Sequence, residues 1–487
     1  MKVWQTILQI AGWMGPSYPS LPSDHPASIQ FSAWLTVFNT ADEKALLEYH
    51  SSPAFPYSVA SPNVANLGRE LGLAKGTGGF YVVDIESISN PSTVVVVMVE
   101  KNRPQYARAT MVVNMSNDNY PATKFDIGPI ITPIKFVPKD DRPRYEKALK
   151  PLTPDTRRAV IDGIAEVLRD QYVIPDTIET IISALESHLK NGEYDDIRES
   201  EKFAVRLTED LHASGHDKHM RALFVEPPPG EPPKPVPGKL LENLRRINFG
   251  FRSVSLDHTT IPGRIIATLH IDNFVPAPVS SPDYQEILAA IGKILSSVSD
   301  ADALLVDLRL NGGGSVWTIS FILSYFLDNG PVHILDMVDR SGNIDETFST
   351  LAAADLPAGT TRFGGTKPLF VLTTENTISG GEEMAYDFQA FKRSKAVIGE
   401  RNFATAGAAN PANVRQICEE IFGKGWWVAL VPTVRPVHAV TGTNWEGVGV
   451  LSDIVAGRGE WEEVSDAEDV GKSLVKKILT GKERGEL

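Results

Sequence analysis

Ser379 sits at a change of pattern. Before it, Leu369–Leu372 is a short apolar run bounded by Pro368 and the polar Thr373–Asn376. After it, Met384, Ala385, Phe388 and Phe391 recur at helical spacing. The run reads as a buried strand and the segment from Gly381 as a helix, which puts Ser379 on the turn between them. Free N–H groups and the helix dipole at such a turn stabilise negative charge, and acyl-transfer nucleophiles use this setting. A structural reading competes with it. Ser379 and Glu382 also form an S-x-x-E capping box. The turn is not a G-x-S-x-G elbow, because Thr377 replaces the first glycine.

Three other stretches could serve a serine nucleophile. In Asn311-Gly312-Gly313-Gly314 the glycines allow positive φ and close backbone approach, so consecutive N–H groups can hold a ligand oxygen. The alternative is a tight strand-to-helix turn. Neither G-x-G-x-x-G nor a Walker lysine is present, which argues against a nucleotide. His212, His216 and His219 have offsets that could share a helix face, but Ser214-Gly215 interrupts the helix and no H-E-x-x-H accompanies them, so no metal is expected. Asp217 beside His219 can orient and charge an imidazole. Glu446, between Trp445 and Gly447, is either a turn glutamate or the group that fixes a catalytic imidazole's tautomer.

Asp217-Lys-His-Met-Arg, Val306-Asp-Leu-Arg-Leu-Asn-Gly-Gly-Gly, Thr377-Ile-Ser-Gly-Gly-Glu-Glu-Met-Ala-Tyr, Thr405-Ala-Gly-Ala-Ala-Asn-Pro and Thr443-Asn-Trp-Glu-Gly-Val-Gly-Val follow one another in the chain. In that order they resemble the serine peptidases of the C-terminal-processing, or tail-specific, type. The resemblance covers residues 155–460 and is greatest to the branch containing the tricorn core protease and the interphotoreceptor retinoid-binding protein. It implies a crotonase-like α/β core preceded by a helical subdomain. It also implies roles: Ser379 as nucleophile, His219 as base, Glu446 as the supporting carboxylate, and the amides of Gly380 and of Gly312 or Gly313 as the oxyanion hole. In the processing proteases a lysine some two dozen residues after the serine is the base. Here that region is Phe403-Ala404-Thr405, while Lys392 and Lys395 come too early. The chain departs from its relatives at Gly380-Gly381, expected to loosen the helix start, at Leu451-Ser452-Asp453 and at Lys218.

The elements that must position these residues fall into segments. Residues 1–140 read as an α+β domain with helices over Ile29–Phe38 and Ala41–Tyr49, Thr40 capping the second. Strands follow over Gly79–Ile85, Thr93–Lys101 and Ala107–Asn114. This element order resembles the nuclear-transport-factor-like fold. No catalytic grouping is visible there, so the domain is expected to be a partner or dimer surface, or a lid. Residues 153–225 form a helical subdomain carrying the candidate base, with helices over Thr156–Tyr172, Pro175–Asn191 and Ser200–Ala213. Residues 226–239 are a proline-rich, extended linker. Residues 240–460 alternate strands and helices as an α/β core, and residues 461–487 carry a C-terminal helix.

Composition narrows the function. A net charge of −14 without a basic block argues against nucleic acid and anionic membranes. No apolar run is long enough to span a bilayer. Val3–Gly15, with Lys2 and breaks at Gln5 and Gln9, reads as an N-terminal helix rather than a cleaved signal. Cys418 is the only cysteine, which permits a reducing compartment; a cytoplasmic location is the expectation, without excluding secretion. The expected function is a serine hydrolase, a peptidase acting on a peptide or small acyl substrate with no cofactor and no metal, and able to self-associate through its N-terminal domain. The alternatives are a non-proteolytic relative that binds an apolar small molecule, and a biosynthetic ester or amide hydrolysis or cyclisation.

Overall fold

The computed structural model describes residues 18–61, 64, 66–117, 119–227, 237–328, 330–400, 405 and 409–481. The Val3–Gly15 segment and most of the proline-rich linker lie outside them. Contacts divide the chain into two units, Met1–Arg142 and Pro143–Leu487. The protein is of mixed α/β type.

In the first unit, helices α1 (Pro26–Phe38), α2 (Glu43–His50) and α3 (Leu67–Thr77) accompany an antiparallel sheet ordered β1 (Phe80–Asn90), β2 (Thr93–Glu100), β3 (Tyr106–Val113), β4 (Ala122–Ile130). Phe31, Trp34 and Phe38 from α1 pack with Phe80 and Phe125 in its core. Asp42, rather than Thr40, caps α2 by accepting the Ala45 N–H. Neither α3 nor β4 is anticipated from sequence. Glu70 on α3 is buried and accepts from Trp34 Nε1 at 2.7 Å and Tyr57 Oη at 2.9 Å, with His50 Nε2 at 2.9 Å. So placed, it is a satisfied core carboxylate.

The second unit begins with α4 (Pro154–Gln171), α5 (Ile178–Lys190) and α6 (Ser200–Gly215). Thr153 caps α4, with Pro154 in its first turn. Contrary to the sequence expectation, α6 runs through Ser214 and Gly215. A side chain at Gly215 would meet Met220 Cε at 2.2 Å, so the glycine permits close packing and does not end the helix. Strand β5 (Arg221–Phe224) follows, then α7 (Lys239–Arg246).

The main sheet is ordered β16-β12-β11-β8-β7-β6. Its strands are β6 (Phe251–Asp257), β7 (Ile266–Ile271), β8 (Ala303–Asp307), β11 (Leu369–Thr373), β12 (Ala396–Glu400) and β16 (Ile454–Ala456). All neighbouring pairs are parallel except β6–β7. Every residue of β8 and β11 is buried, as expected of parallel strands covered on both faces. The helices α8 (Tyr284–Ser296), α9 (Val316–Leu323), α10 (Gly380–Ala390) and α11 (Ala467–Thr480) accompany the sheet. Two three-stranded antiparallel sheets complete the unit. One is β10-β9-β15, from β9 (His333–Asp339), β10 (Ile344–Ser349) and β15 (Val434–His438); the other is β13-β14-β5, with β13 (Ala412–Ile417) and β14 (Trp427–Pro432). Through β14, strand β5 joins the helical segment to the C-terminal part of the core. Among the described residues no helix is long and apolar enough to cross a membrane.

Candidate active site

Strands β8 and β11 lie side by side, and the loops leaving their carboxyl ends are tied together. Thr377 Oγ1 donates to Leu308 O at 2.8 Å, Thr374 Oγ1 to Arg309 O at 2.8 Å, and Ile378 N to Asn311 O at 3.1 Å. Ligands of open α/β sheets bind at such carboxyl ends. The two loops hold Ser379 in a conformation unusual for a residue with a side chain, φ 57° and ψ −121°. Surrounding bonds must offset about 1–3 kcal/mol of local strain at such a residue.

The capping box is in place around the turn, but only the Glu382 arm is a hydrogen bond: the Ser379 N–H donates to Glu382 Oε2 at 2.7 Å. The Ser379 hydroxyl lies 3.3 Å from His219 Nε2. Glu382 is buried, and its other oxygen accepts from Thr405 Oγ1 at 2.6 Å. Thr405 Oγ1 in turn accepts the Val450 N–H at 2.8 Å, which ties the serine turn to the last motif. Phe403 and Ala404, and Ala406–Ala408 of the Thr405 motif, lie outside the described residues.

His219 occupies the turn between α6 and β5, and its N–H donates to Asp217 Oδ1 at 2.9 Å. The three histidines do not gather. His212 Nε2 lies 2.8 Å from Met220 O, and His216 is the left-handed residue that ends α6. Two carboxylates gather around His219 instead. Asp217 Oδ1 is 3.6 Å from Nδ1, and side-chain donor atoms of Asp217, His219 and Glu446 all lie within 4.8 Å of one another. Nδ1 itself is buried without a hydrogen bond. Glu446 Oε2 accepts the N–H groups of Ala409 at 2.7 Å and Asn410 at 3.1 Å. Burial pushes the Glu446 carboxyl above its ordinary range, and the like charge of Asp217 adds to the rise. The same burial and the nearby Asp217 push up the Tyr172 hydroxyl, which donates to Asp217 Oδ2 at 3.3 Å.

The glycine loop differs from expectation in detail. The Gly312 N–H donates to Asp272 O at 2.9 Å and the Gly313 N–H to Asn311 Oδ1 at 2.8 Å. Both expected donors are therefore engaged. Among the described residues, the amides of Gly314 and Gly380 make no hydrogen bond. They lie close together, since a Cβ at Gly380 would sit 3.1 Å from Gly314 N. Asn311 organises this loop: it is fully buried, and its Nδ2 donates to Ile271 O at 2.9 Å. Sequence reasoning used Asn311 only as a turn marker. Gly380 and Gly381 are explained by close approach rather than by a loose helix start, because a Cβ at Gly381 would meet Asn311 Oδ1 at 2.7 Å.

A second buried grouping was not anticipated. Glu383 and Asp387, one turn apart on α10, are both buried, and Asp387 Oδ1 lies 3.4 Å from His438 Nε2. Burial pushes both carboxyls well above their ordinary range, and Asp387 raises Glu383 further. Burial, helped by His333, pushes His438 down to about 4. The two carboxyls thus keep protons in the folded state that the unfolded chain releases near pH 4, while the lowered His438 acts in the opposite sense. The stabilisation is complete below that range and is lost as pH rises through the raised values. Asp387→Asn is expected to flatten the fall in thermal stability as pH rises above the ordinary carboxylate range, and to raise Tm on the alkaline side by about 2–4 °C. Parallel melts across that range check it.

A serine, a histidine and two carboxylates at the carboxyl ends of parallel strands, beside two open backbone amides, define an α/β protein with a serine–histidine–acid constellation. The chain carries a domain of peptidase family S41. Residues 265–456 match Peptidase family S41, and residues 152–244 match the N-terminal domain of peptidase S41 in eukaryotic IRBP. A tail-specific protease of Haemophilus influenzae is 22% identical over 245 residues, covering 50% of this chain and 31% of that protein. The chain thus spans about a third of the length of that curated relative. Among solved structures, a lipoprotein from Streptococcus agalactiae is similar with 15% identity and a TM-score of 0.41, over 67% of this chain and 98% of that one. The tricorn protease is similar with 11% identity and a TM-score of 0.39, over 82% of this chain and 41% of that one.

Proposed function

We propose that the protein is a serine peptidase of the tail-specific type. The approach of Ser379 Oγ to His219 Nε2, across 160 positions of sequence, carries this reading. His219 removes the proton of Ser379, and the serine oxygen attacks a peptide carbonyl. The amide of Gly380, with that of Gly314 in place of Gly312 or Gly313, stabilises the tetrahedral oxyanion. His219 then returns the proton to the leaving amine. Asp217 and Glu446 stabilise the imidazolium that forms between these steps. We further propose a crotonase-like core over 240–460, a helical subdomain over 153–225 joined to it by the 226–239 linker, a terminal helix over 461–487, and a nuclear-transport-factor-like domain over 1–140 that serves self-association.

The test is a fluorophosphonate probe read by intact mass. One probe is expected to add per chain and none to the Ser379→Ala variant. Absence of labelling in folded protein would overturn the hydrolase reading in favour of an apolar-ligand binder.

A further inference from the structure

Among the described residues, two groups of side chains able to ligate a metal converge in the second unit, and they differ in charge balance. Around His270, Asp307 and Glu468 a cation is already present. The Arg309 guanidinium holds Asp307 through two hydrogen bonds, at 2.9 and 2.8 Å, and reaches Glu468 at 3.4 Å. Around Asp217, His219 and Glu446 there is none, for among the described residues no lysine or arginine pairs with either carboxylate. Two carboxylates converging without a cation attract one.

The donor atoms suit an ion of small radius. Bond lengths near 2.0–2.1 Å in a tetrahedral zinc site separate neighbouring ligands by about 3.4 Å. His219 Nδ1 and Asp217 Oδ1 are 3.6 Å apart, and the Glu446 oxygen, within 4.8 Å of both, needs to close by at most about 1.4 Å. Among the described residues nothing hydrogen-bonds the buried Nδ1, so a metal displaces no partner of theirs there. The two carboxylates are anchored from behind, Asp217 by Tyr172 and the His219 amide, and Glu446 by the Ala409 and Asn410 amides. Outer contacts of this kind orient metal ligands.

We propose that Asp217, His219 and Glu446 form an inhibitory site for a divalent transition cation of the zinc type. A neutral imidazole bound to metal through Nδ1 carries its proton on Nε2. Nε2 faces Ser379 Oγ, so the occupied site presents a donor where the reaction needs an acceptor. The cation thus locks the histidine in the unreactive tautomer. The loss of function rests on the peptidase reading; the binding does not.

The experiment uses the full chain with Ser379→Ala, so that binding is read without turnover. Cobalt(II) absorption and zinc competition against a chromophoric chelator are measured. One equivalent of saturable binding is expected, weakened at least about 10–100-fold by Asp217→Asn or Glu446→Gln and unaffected by a large excess of magnesium. Thermal melts of each variant check folding. In the wild type, zinc is expected to slow fluorophosphonate labelling and a chelator to restore it. No saturable binding, or binding unchanged by both substitutions, overturns the site. Binding without any effect on labelling overturns the inhibition and leaves the site. Protein that never labels, even free of metal, counts against the peptidase reading instead.

Discussion

His219→Ala is expected to lower kcat/KM by about 10⁴-fold or more and to leave the fold intact. The side chain sits in a turn, is partly exposed, and lies 3.3 Å from the Ser379 hydroxyl. Because serine and histidine act as one unit, the double variant with Ser379→Ala should be little worse than either single one. A 10-fold loss only, or full additivity, would remove His219 from the role of base. Steady-state kinetics on a peptide ester, with circular dichroism as the fold control, decides it.

Gly313→Ala is expected to cost about 10²–10³-fold in kcat, the scale of losing one oxyanion donor. Gly313 has φ +90°, and a Cβ there would lie 2.8 Å from Ser379 Cβ, 2.9 Å from Gly380 N and 3.0 Å from Ile378 O. None of these is the far end of a flexible side chain, so the turn itself must move. The displaced atoms belong to the nucleophile and to one proposed oxyanion amide. Some stability is lost as well, about 1–3 kcal/mol from strain and overlap. Gly342→Ala is the comparison. That residue also has positive φ but nothing within 4 Å of the added carbon, so it should cost stability without activity.

The parts of the site that could be read from sequence are those whose residue types carry the chemistry. Ser379, His219 and Glu446 stand out because five spaced motifs resemble one family. Which glycine amides remain open could not be read, since Gly312, Gly313 and Gly314 are chemically identical and the Asp272 carbonyl and the Asn311 side chain, which engage the first two, decide among them. The burial of Glu383 was hidden because an acidic residue in the first turn of a helix reads as a favourable surface charge. In the fold, the long apolar strands and amphipathic helices were legible. Helix α3 was not, as Gly68, Gly72 and Gly76 dilute its pattern. Strand β4 was missed because Gly128-Pro129 reads as a turn; it is an edge strand, where proline is tolerated. Strands β10 and β13 each bury a single residue, so no apolar run marks them.

Strand β5, which follows His219 within two residues, is held by β14, with Phe224 opposite Trp427 and Arg221 opposite Leu430. The order of parts along the chain then governs when the site can exist. A ribosome releases His219 first, Ser379 second, the strand that seats the histidine third, and Glu446 last. Until that final stretch has emerged, the growing chain carries Ser379 without the fixed neighbours that the proposed catalysis requires. On the proposed peptidase reading, this order keeps the site incomplete until the last part of synthesis.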